Sequence, residues 1–352
     1  MVSIITEPAY SASIWCNELF KSLTERLRHK RIPFLKVAGK LPENQDGVFL
    51  IASDYNWIKS TVKKLNLSGI KPILLCNQSQ SIPGCAYSCV CSDIAGSMKY
   101  LLDELKSSGK TRVALYGVNT GSVSDIGRVD GLFTYKDENF SKMRIFANLG
   151  SLQECFSEFI KEYKEFDAVI CSNDFAAISL VRNLKTFAPD ALDNLKILSC
   201  AKTKLSSFYK DTVTSVDMNF EQYGEAAVFI YEKLKTHPYF SGMTITVKWK
   251  TENKKEPEKD SPILEDRQSG TEFYSDSELK ELLTAEKILN ILSETDIRII
   301  SSLKSGMTIE QTAEKSNLTI GGVKYRLKRI LDESGLKDKS EILSVIDKYT
   351  IQ

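Results

Sequence analysis

The chain is expected to be an α/β protein with a doubly wound parallel sheet, followed by a small all-α domain. Three observations predict this. From Val2 to roughly Lys250, short apolar runs alternate with longer amphipathic ones, the pattern of a parallel sheet covered by helices. Between Lys250 and Gly270, five basic and six acidic residues with two prolines leave almost nothing apolar to bury, which marks a solvated linker. From Ser293 onward, short amphipathic segments separated by cap residues read as a compact helical module.

Taken in order, the apolar runs predict strands at Val2 to Thr6, Phe34 to Val37, Gly47 to Ala52, Pro72 to Cys76, Tyr87 to Cys91, Arg112 to Tyr116, Met143 to Ala147, Ala168 to Cys171, Lys196 to Cys200 and Val213 to Val216. Helices are expected between most of them, at Ser13 to Lys30, Trp57 to Leu65, Ile94 to Ser107, Ser124 to Thr134, Leu152 to Phe166, Phe175 to Phe187 and Phe220 to Thr236. The expected domains are 1–249 (α/β), 250–274 (linker), 275–292 (linker helix) and 293–352 (helical). The linker helix, Ser277 to Ile291, carries Leu279, Leu282, Leu283, Ile288, Leu289 and Ile291, too apolar a face for a lone surface helix. It is expected to pack on the last domain or on a second copy of the chain.

A length of 352 residues suggests two or three domains, and 18 Gly, 9 Pro and 8 Cys exclude collagen-like, disordered and disulfide-scaffold classes. The cysteines mostly sit in apolar runs, as small hydrophobes do in reducing compartments. Cys85, Cys89 and Cys91 form no CxxC pair, and the only histidines, His29 and His237, are distant in sequence, so neither a metal site nor a cofactor is expected. No apolar run approaches the ~18 to 20 residues of a membrane span, and Met1 to Ala12 has no basic leader, so a cytoplasmic location is expected. The net charge, 47 minus 46, is too small to decide for or against nucleic acid. No GxGxxG, Walker A or GxSxG run is present, and a total of two histidines argues against a His-based triad, so no enzyme is expected.

In the last domain Ser293 caps a helix from Glu294 to Lys304, stopped by Gly306. Thr308 and Gln311 form a capping-box pattern for a second helix through Ser316, and a third starts near Thr319. Two short helices at a tight turn make a helix-turn-helix. On the third, Val323, Leu327, Ile330 and Leu331 share one side, while Lys324, Tyr325, Arg326, Lys328 and Arg329 occupy the rest. Thr319 to Leu331 holds four basic residues and no acidic one, so charge concentrates where a major groove would meet it. The plainer alternative is a solvated helix face. The stretch resembles the LuxR-type DNA-binding domain in LSETDIRII, GMTIEQTAEKSNLTIGGVKYRLKRIL and ESGLKDKSEIL; sigma-factor region 4 is similar as far as VKYRLKRIL. Gly321 and Gly322 depart from the pattern, the latter standing where the family usually has threonine. The resemblance implies that Lys324, Tyr325 and Lys328 face base edges, with Thr319, Arg326 and Arg329 nearer phosphates. A fragment from Ser275 onward is expected to keep weak DNA binding.

The first 250 residues resemble the type I periplasmic-binding-protein fold, as used for effector sensing in the lactose- and galactose-repressor family. The segments carrying this are CSDIAGSMKYLLDELKSSGKTRVALYG, GRVDGLF, DAVICSNDFAAISLV and VTSVDMNFEQYGEAAV. The resemblance implies two α/β subdomains with a small-molecule effector in the cleft at the strands' carboxyl ends. Arg128 matches the effector-binding arginine, and Asp93 and Asn173 match cleft polar positions. For Arg128 the alternative is a salt bridge, and for Asp93 and Asp174 a helix N-cap. Tyr10 and Trp15 are candidate aromatic walls, with core packing as the alternative. Ala201 replaces the aspartate usual in sugar-responsive members. Together these features suggest a ligand-responsive, homodimeric transcription regulator that binds double-stranded DNA. The competing reading is a solute- or partner-binding α/β protein whose C-terminal helices serve assembly.

Overall fold

The computed structural model describes residues 1–11, 13–37, 45–79, 81–250 and 276–349. The expected linker, beyond Lys250, lies outside the described residues. The chain divides into two units, Met1–Lys202 with Thr212–Phe273, and Thr203–Asp211 with Tyr274–Gln352.

In chain order the first unit contains β1 (Val2–Thr6), α1 (Ile14–His29), β2 (Phe34–Val37), β3 (Gly47–Ile51), α2 (Tyr55–Leu67), β4 (Ile73–Leu75), β5 (Ser88–Ser92), α3 (Ile94–Ser107), β6 (Arg112–Val118), α4 (Val123–Thr134), β7 (Lys142–Ala147), α5 (Leu152–Phe159), β8 (Ala168–Cys171), α6 (Asp174–Phe187), α7 (Ala191–Asn194), β9 (Lys196–Cys200), β10 (Val213–Val216), α8 (Phe220–Thr236) and β11 (Thr244–Val247). The strands form two parallel sheets, ordered β11-β5-β4-β3-β1-β2 and β10-β9-β8-β6-β7. The central strands, such as β3, β4 and β8, are covered on both faces and are apolar throughout rather than alternating, whereas the edge strands β2, β7, β10 and β11 are partly exposed. On β3, Phe49 and Ile51 join one core cluster while Val48 and Leu50 join another with Ile58, Val62 and Leu65 of α2. Strand β11, whose ends Thr244 and Val247 pair with Cys89 and Ser92, was not among the expected strands.

The chain leaves the first sheet after β5 through α3 and returns after β10 through α8. The crossing segments are tied together: Trp249 Nε1 donates to Ser92 Oγ at 2.8 Å, Asn219 Nδ2 to Lys248 O at 3.1 Å, and Lys250 N to Asp217 O at 2.9 Å. Helices α1 and α8 pack closely because Gly224 has no side chain; a Cβ there would sit 2.3 Å from the Ser22 carbonyl oxygen.

The second unit contains α9 (Ser277–Ile291), α10 (Glu294–Lys304), α11 (Ile309–Lys315), α12 (Ile320–Ser334) and α13 (Lys339–Tyr349). Helix α9 buries Leu279, Leu282 and Ile288 within this unit and is pinned there by Lys287 Nζ to Ser334 O (3.3 Å) and Tyr349 Oη to Glu281 Oε2 (2.7 Å). Ile299 and Leu303 of α10, Ala313 of α11, and Val323 and Leu327 of α12 form a second core, and Asn317, at φ +54°, turns the chain between α11 and α12.

Candidate functional site

The carboxyl ends of the first unit's strands carry a buried polar network centred on α4. Ser122 caps this helix, which places Asp125 and Arg128 one turn apart, facing inward. Arg128 Nη1 donates to Asp125 Oδ1 at 2.6 Å, with both side chains under one-tenth exposed. The Asn119 N–H donates to the other oxygen of Asp125 at 2.9 Å. Burial pushes the Asp125 carboxyl upward, opposed by Arg128 and that N–H. Arg128 Nη2 reaches Cys200 Sγ at 3.2 Å, while its Nε is buried with no hydrogen-bond partner among the described residues. A cation in this setting has already been neutralised, so it offers a directed N–H rather than a net charge.

The other expected cleft residues are placed as follows. Tyr10 closes a short 3-10 turn after β1; burial, with Glu7, Asp54 and Asp125 nearby, pushes its hydroxyl up to about 12. Trp15 lies half-buried against the core at the start of α1, with Nε1 buried and without a partner among the described residues. Asp93 caps α3 by accepting from Gly96 N at 3.0 Å. Asn173 caps α6 by accepting from Phe175 N and Ala176 N, both at 3.0 Å. Asp93 therefore takes the capping alternative, through Oδ1, whereas at α6 the cap is Asn173 rather than Asp174. Asp174, at the start of α6, accepts the Ser199 hydroxyl at 2.6 Å.

Sequence reasoning missed three carboxamides just beyond strand ends. Asn77 and Gln78 follow β4 and Asn148 follows β7, and Asn77 Oδ1, Gln78 Oε1 and Asn148 Nδ2 are buried without partners among the described residues. Gln78 reaches α4: its Oε1 lies 3.5 Å from where a Cβ on Gly127 would stand. Unsatisfied buried polar groups are costly and need an explanation. The available signal was position, one or two residues past an apolar run, where a parallel sheet binds ligands.

In the second unit Asp296, fully buried, anchors the third helix of the expected DNA-binding module. Its carboxylate takes Arg326 Nη1 at 3.0 Å and Arg329 Nη2 at 2.6 Å, as well as the amide and hydroxyl of Ser293. Burial pushes the Asp296 carboxyl up, but those hydrogen bonds outweigh it and hold the group below its ordinary 3.8. Arg326 and Arg329 are thus drawn against α10, whereas Lys324, Tyr325 and Lys328 are exposed and make no ion pair among the described residues. Thr319 caps α12, its Oγ accepting from Gly322 N at 3.0 Å. Among the described residues no group of three or more His, Cys, Asp or Glu could hold a metal ion, and no helix is long and apolar enough to cross a membrane.

No family model matches the chain, and no curated protein matches it. Solved structures do. A transcriptional regulator, CelR, in complex with cellobiose matches with a TM-score of 0.57 at 14% identity, over 71% of this chain and 82% of that one. The Lac repressor bound to ONPG in the repressed state matches with a TM-score of 0.56 at 14% identity, over 71% and 80%. A LacI-family transcriptional regulator from Enterococcus faecium with bound ribose matches with a TM-score of 0.55 at 15% identity, over 72% and 97%. At these identities the likeness shows the fold: a mixed α/β architecture of two parallel sheets, like the type I periplasmic-binding-protein fold.

Proposed function

We propose that the chain is a ligand-responsive, sequence-specific DNA-binding transcription regulator, in which the first unit senses an effector and the second is a LuxR-type helix-turn-helix. The observation that carries the reading is the sorting of charge on α12. Asp296 draws two arginines inward, leaving Lys324, Tyr325 and Lys328 exposed in the stretch from Thr319 to Leu331, which holds no acidic residue; Asp332 enters this face only one turn further on, so the start of the helix suits a major groove. The arginines, one-third exposed, retain free N–H groups for phosphates. Work as a cytoplasmic homodimer on two half-sites fits the small footprint of one such module.

For the effector, the neutralised Arg128 and the unpartnered carboxamides of Asn77, Gln78 and Asn148 favour an uncharged polyhydroxylated or amide-bearing molecule over a carboxylate. The CelR and Enterococcus structures hold sugars, which is consistent with that chemistry. Selection of a duplex from random DNA, followed by anisotropy titrations at several salt concentrations, tests the DNA half. Equal affinity for selected and bulk DNA sinks it. A thermal-shift screen of sugars, nucleosides and amino acids tests the effector half, since a ligand at 100 times its Kd adds about 2.7 kcal/mol.

A further inference from the structure

We propose that residues 203–211 couple the state of the first unit's cleft to α12, an inference that rests on the DNA-regulator reading above. Thr203–Asp211 lies in sequence between β9 and β10 of the first unit, yet it belongs to the second. Reciprocal capping holds it there. Glu286, on α9 and 2% exposed, accepts the backbone N–H of Lys204 at 2.9 Å and of Leu205 at 2.6 Å, where the chain enters the 3-10 turn Ser206–Tyr209. In return Lys204 Nζ donates to the carbonyls of Leu289 (3.3 Å) and Asn290 (3.4 Å), at the end of α9 where helix carbonyls lack intrahelical partners. The next carbonyl, Ile291 O, accepts from Arg329 Nη2 of α12 at 3.3 Å. Three successive carbonyls therefore hold the segment's lysine beside an arginine of the cationic helix, and Leu205 and Tyr209 are buried beneath.

Upstream, the segment begins just after the residue that Arg128 touches. Cys200 receives Arg128 Nη2, and the two residues that follow are left-handed without being glycine, Ala201 at φ +114° and Lys202 at φ +50°. Such backbone is strained and persists only while its surroundings hold it. Here the holders are the Val216 carbonyl, which takes Ala201 N at 3.1 Å, and Ser215 Oγ, which takes Lys202 N at 2.9 Å. A ligand that recruits Arg128 away from Cys200 leaves that side chain with only the Ser172 carbonyl, and so removes a tether from the residue immediately before the strained pair. Lys204 is two residues further on, so relaxation of Ala201 and Lys202 shifts the cap on α9 and, through Ile291, the seat of Arg329.

The test uses the full chain and needs no effector. The cleft is perturbed by Arg128→Met and, more mildly, by Cys200→Ala, each alone and combined with Glu286→Gln, while hydrogen exchange is followed by mass spectrometry in peptides covering 203–211 and 277–291. Each cleft variant is expected to change exchange over 277–291 by about fivefold or more when Glu286 is intact, and by much less when Glu286→Gln is also present. If Arg128→Met does not fold, Cys200→Ala carries the comparison. The proposal is overturned if Cys200→Ala leaves 277–291 unchanged, or changes it equally in both backgrounds. DNA affinity of the same variants for a selected duplex separates the two readings: exchange coupling in a chain that prefers no DNA sequence supports the coupler and removes the DNA role.

Discussion

Arg128 and Asp125 form a buried ion pair one helical turn apart, closed at 2.6 Å with side chains 5% and 8% exposed. The sequence offers Arg128 as an effector-binding arginine with a salt bridge as the alternative, and the pair with Asp125 makes the residue structural whatever else it contacts. Its removal is costly, because losing one partner strands the other charge in low dielectric. Arg128→Met is expected to lower unfolding free energy by about 3 to 5 kcal/mol in urea titrations, and Arg128→Met with Asp125→Leu to recover most of it. A single-variant loss below about 1 kcal/mol would show the pair to be structurally idle.

Asp296 gives the second unit a defined acid sensitivity. Its folded-state affinity for protons is held below the ordinary 3.8, so its contribution is present above that pH and is lost as pH falls through the folded value. Acid titration of the full chain, followed by exchange in 294–334 peptides, is expected to show this unit loosening below about pH 4. In Asp296→Asn that pH dependence flattens. The variant also costs about 1.5 to 3 kcal/mol for hydrogen bonds to a charged group; the arginines, being one-third exposed, are partly rescued by water.

On DNA, Lys324→Ala and Lys328→Ala are each expected to cost about 1 to 3 kcal/mol against the selected duplex and little against bulk DNA. Arg329→Ala weakens all sequences alike, lowers the salt slope by about one unit, and additionally reduces stability through Asp296. Equal losses on selected and bulk DNA for both lysine variants would move them from base edges to phosphates.

Gly321 has no internal reason to be glycine: its φ is not left-handed, and an added Cβ would meet only Thr319 Oγ1 at 3.9 Å. Gly321→Ala is therefore expected to stabilise the second unit by about 0.5 to 1 kcal/mol in thermal unfolding. If the bare backbone is there for close approach to DNA, the same variant loses affinity for the selected duplex as it gains stability. Unchanged affinity would assign the glycine no role in binding.

A fragment from Ser275 onward lacks Lys204 and Leu205, so the carboxylate of Glu286 loses two backbone donors. The fragment is expected to melt well below the second unit of the full chain by circular dichroism, and Glu286→Leu to raise its melting temperature. Independent folding unaffected by that substitution would show the 203–211 segment to be dispensable.

Much of the fold was legible because its central strands are buried on both faces and its apolar runs stand out even in most edge strands. Val2–Thr6, Phe34–Val37, Ala168–Cys171, Lys196–Cys200 and Val213–Val216 fall where those runs fall. Thr244–Val247 was missed because an edge strand with exposed Thr244 and Thr246 carries no such run. The expected helix Leu152 to Phe166 ends at Phe159, and a separate 3-10 turn follows at Tyr163–Glu165. At the cleft, residue type identified a polar position but not its partner: Asp93 and Asn173 serve backbone N–H groups three residues or fewer away, which propensity favours equally. Asn77, Gln78 and Asn148 escaped because isolated carboxamides have no motif. The pairing of Glu286 with Lys204 was invisible for a different reason, since some eighty intervening residues leave no periodic trace.

A unit assembled from two separated stretches resists modular exchange. Recombination that joined a foreign α/β unit to this chain at the polar segment after Lys250 would deliver α9 to α13 without their matching 203–211 piece, and leave Glu286 facing the wrong residues. Descent by shuffling of whole cassettes would then demand two breakpoints or concerted change at Lys204 and Glu286. Viable chimaeras would be those that graft both stretches together.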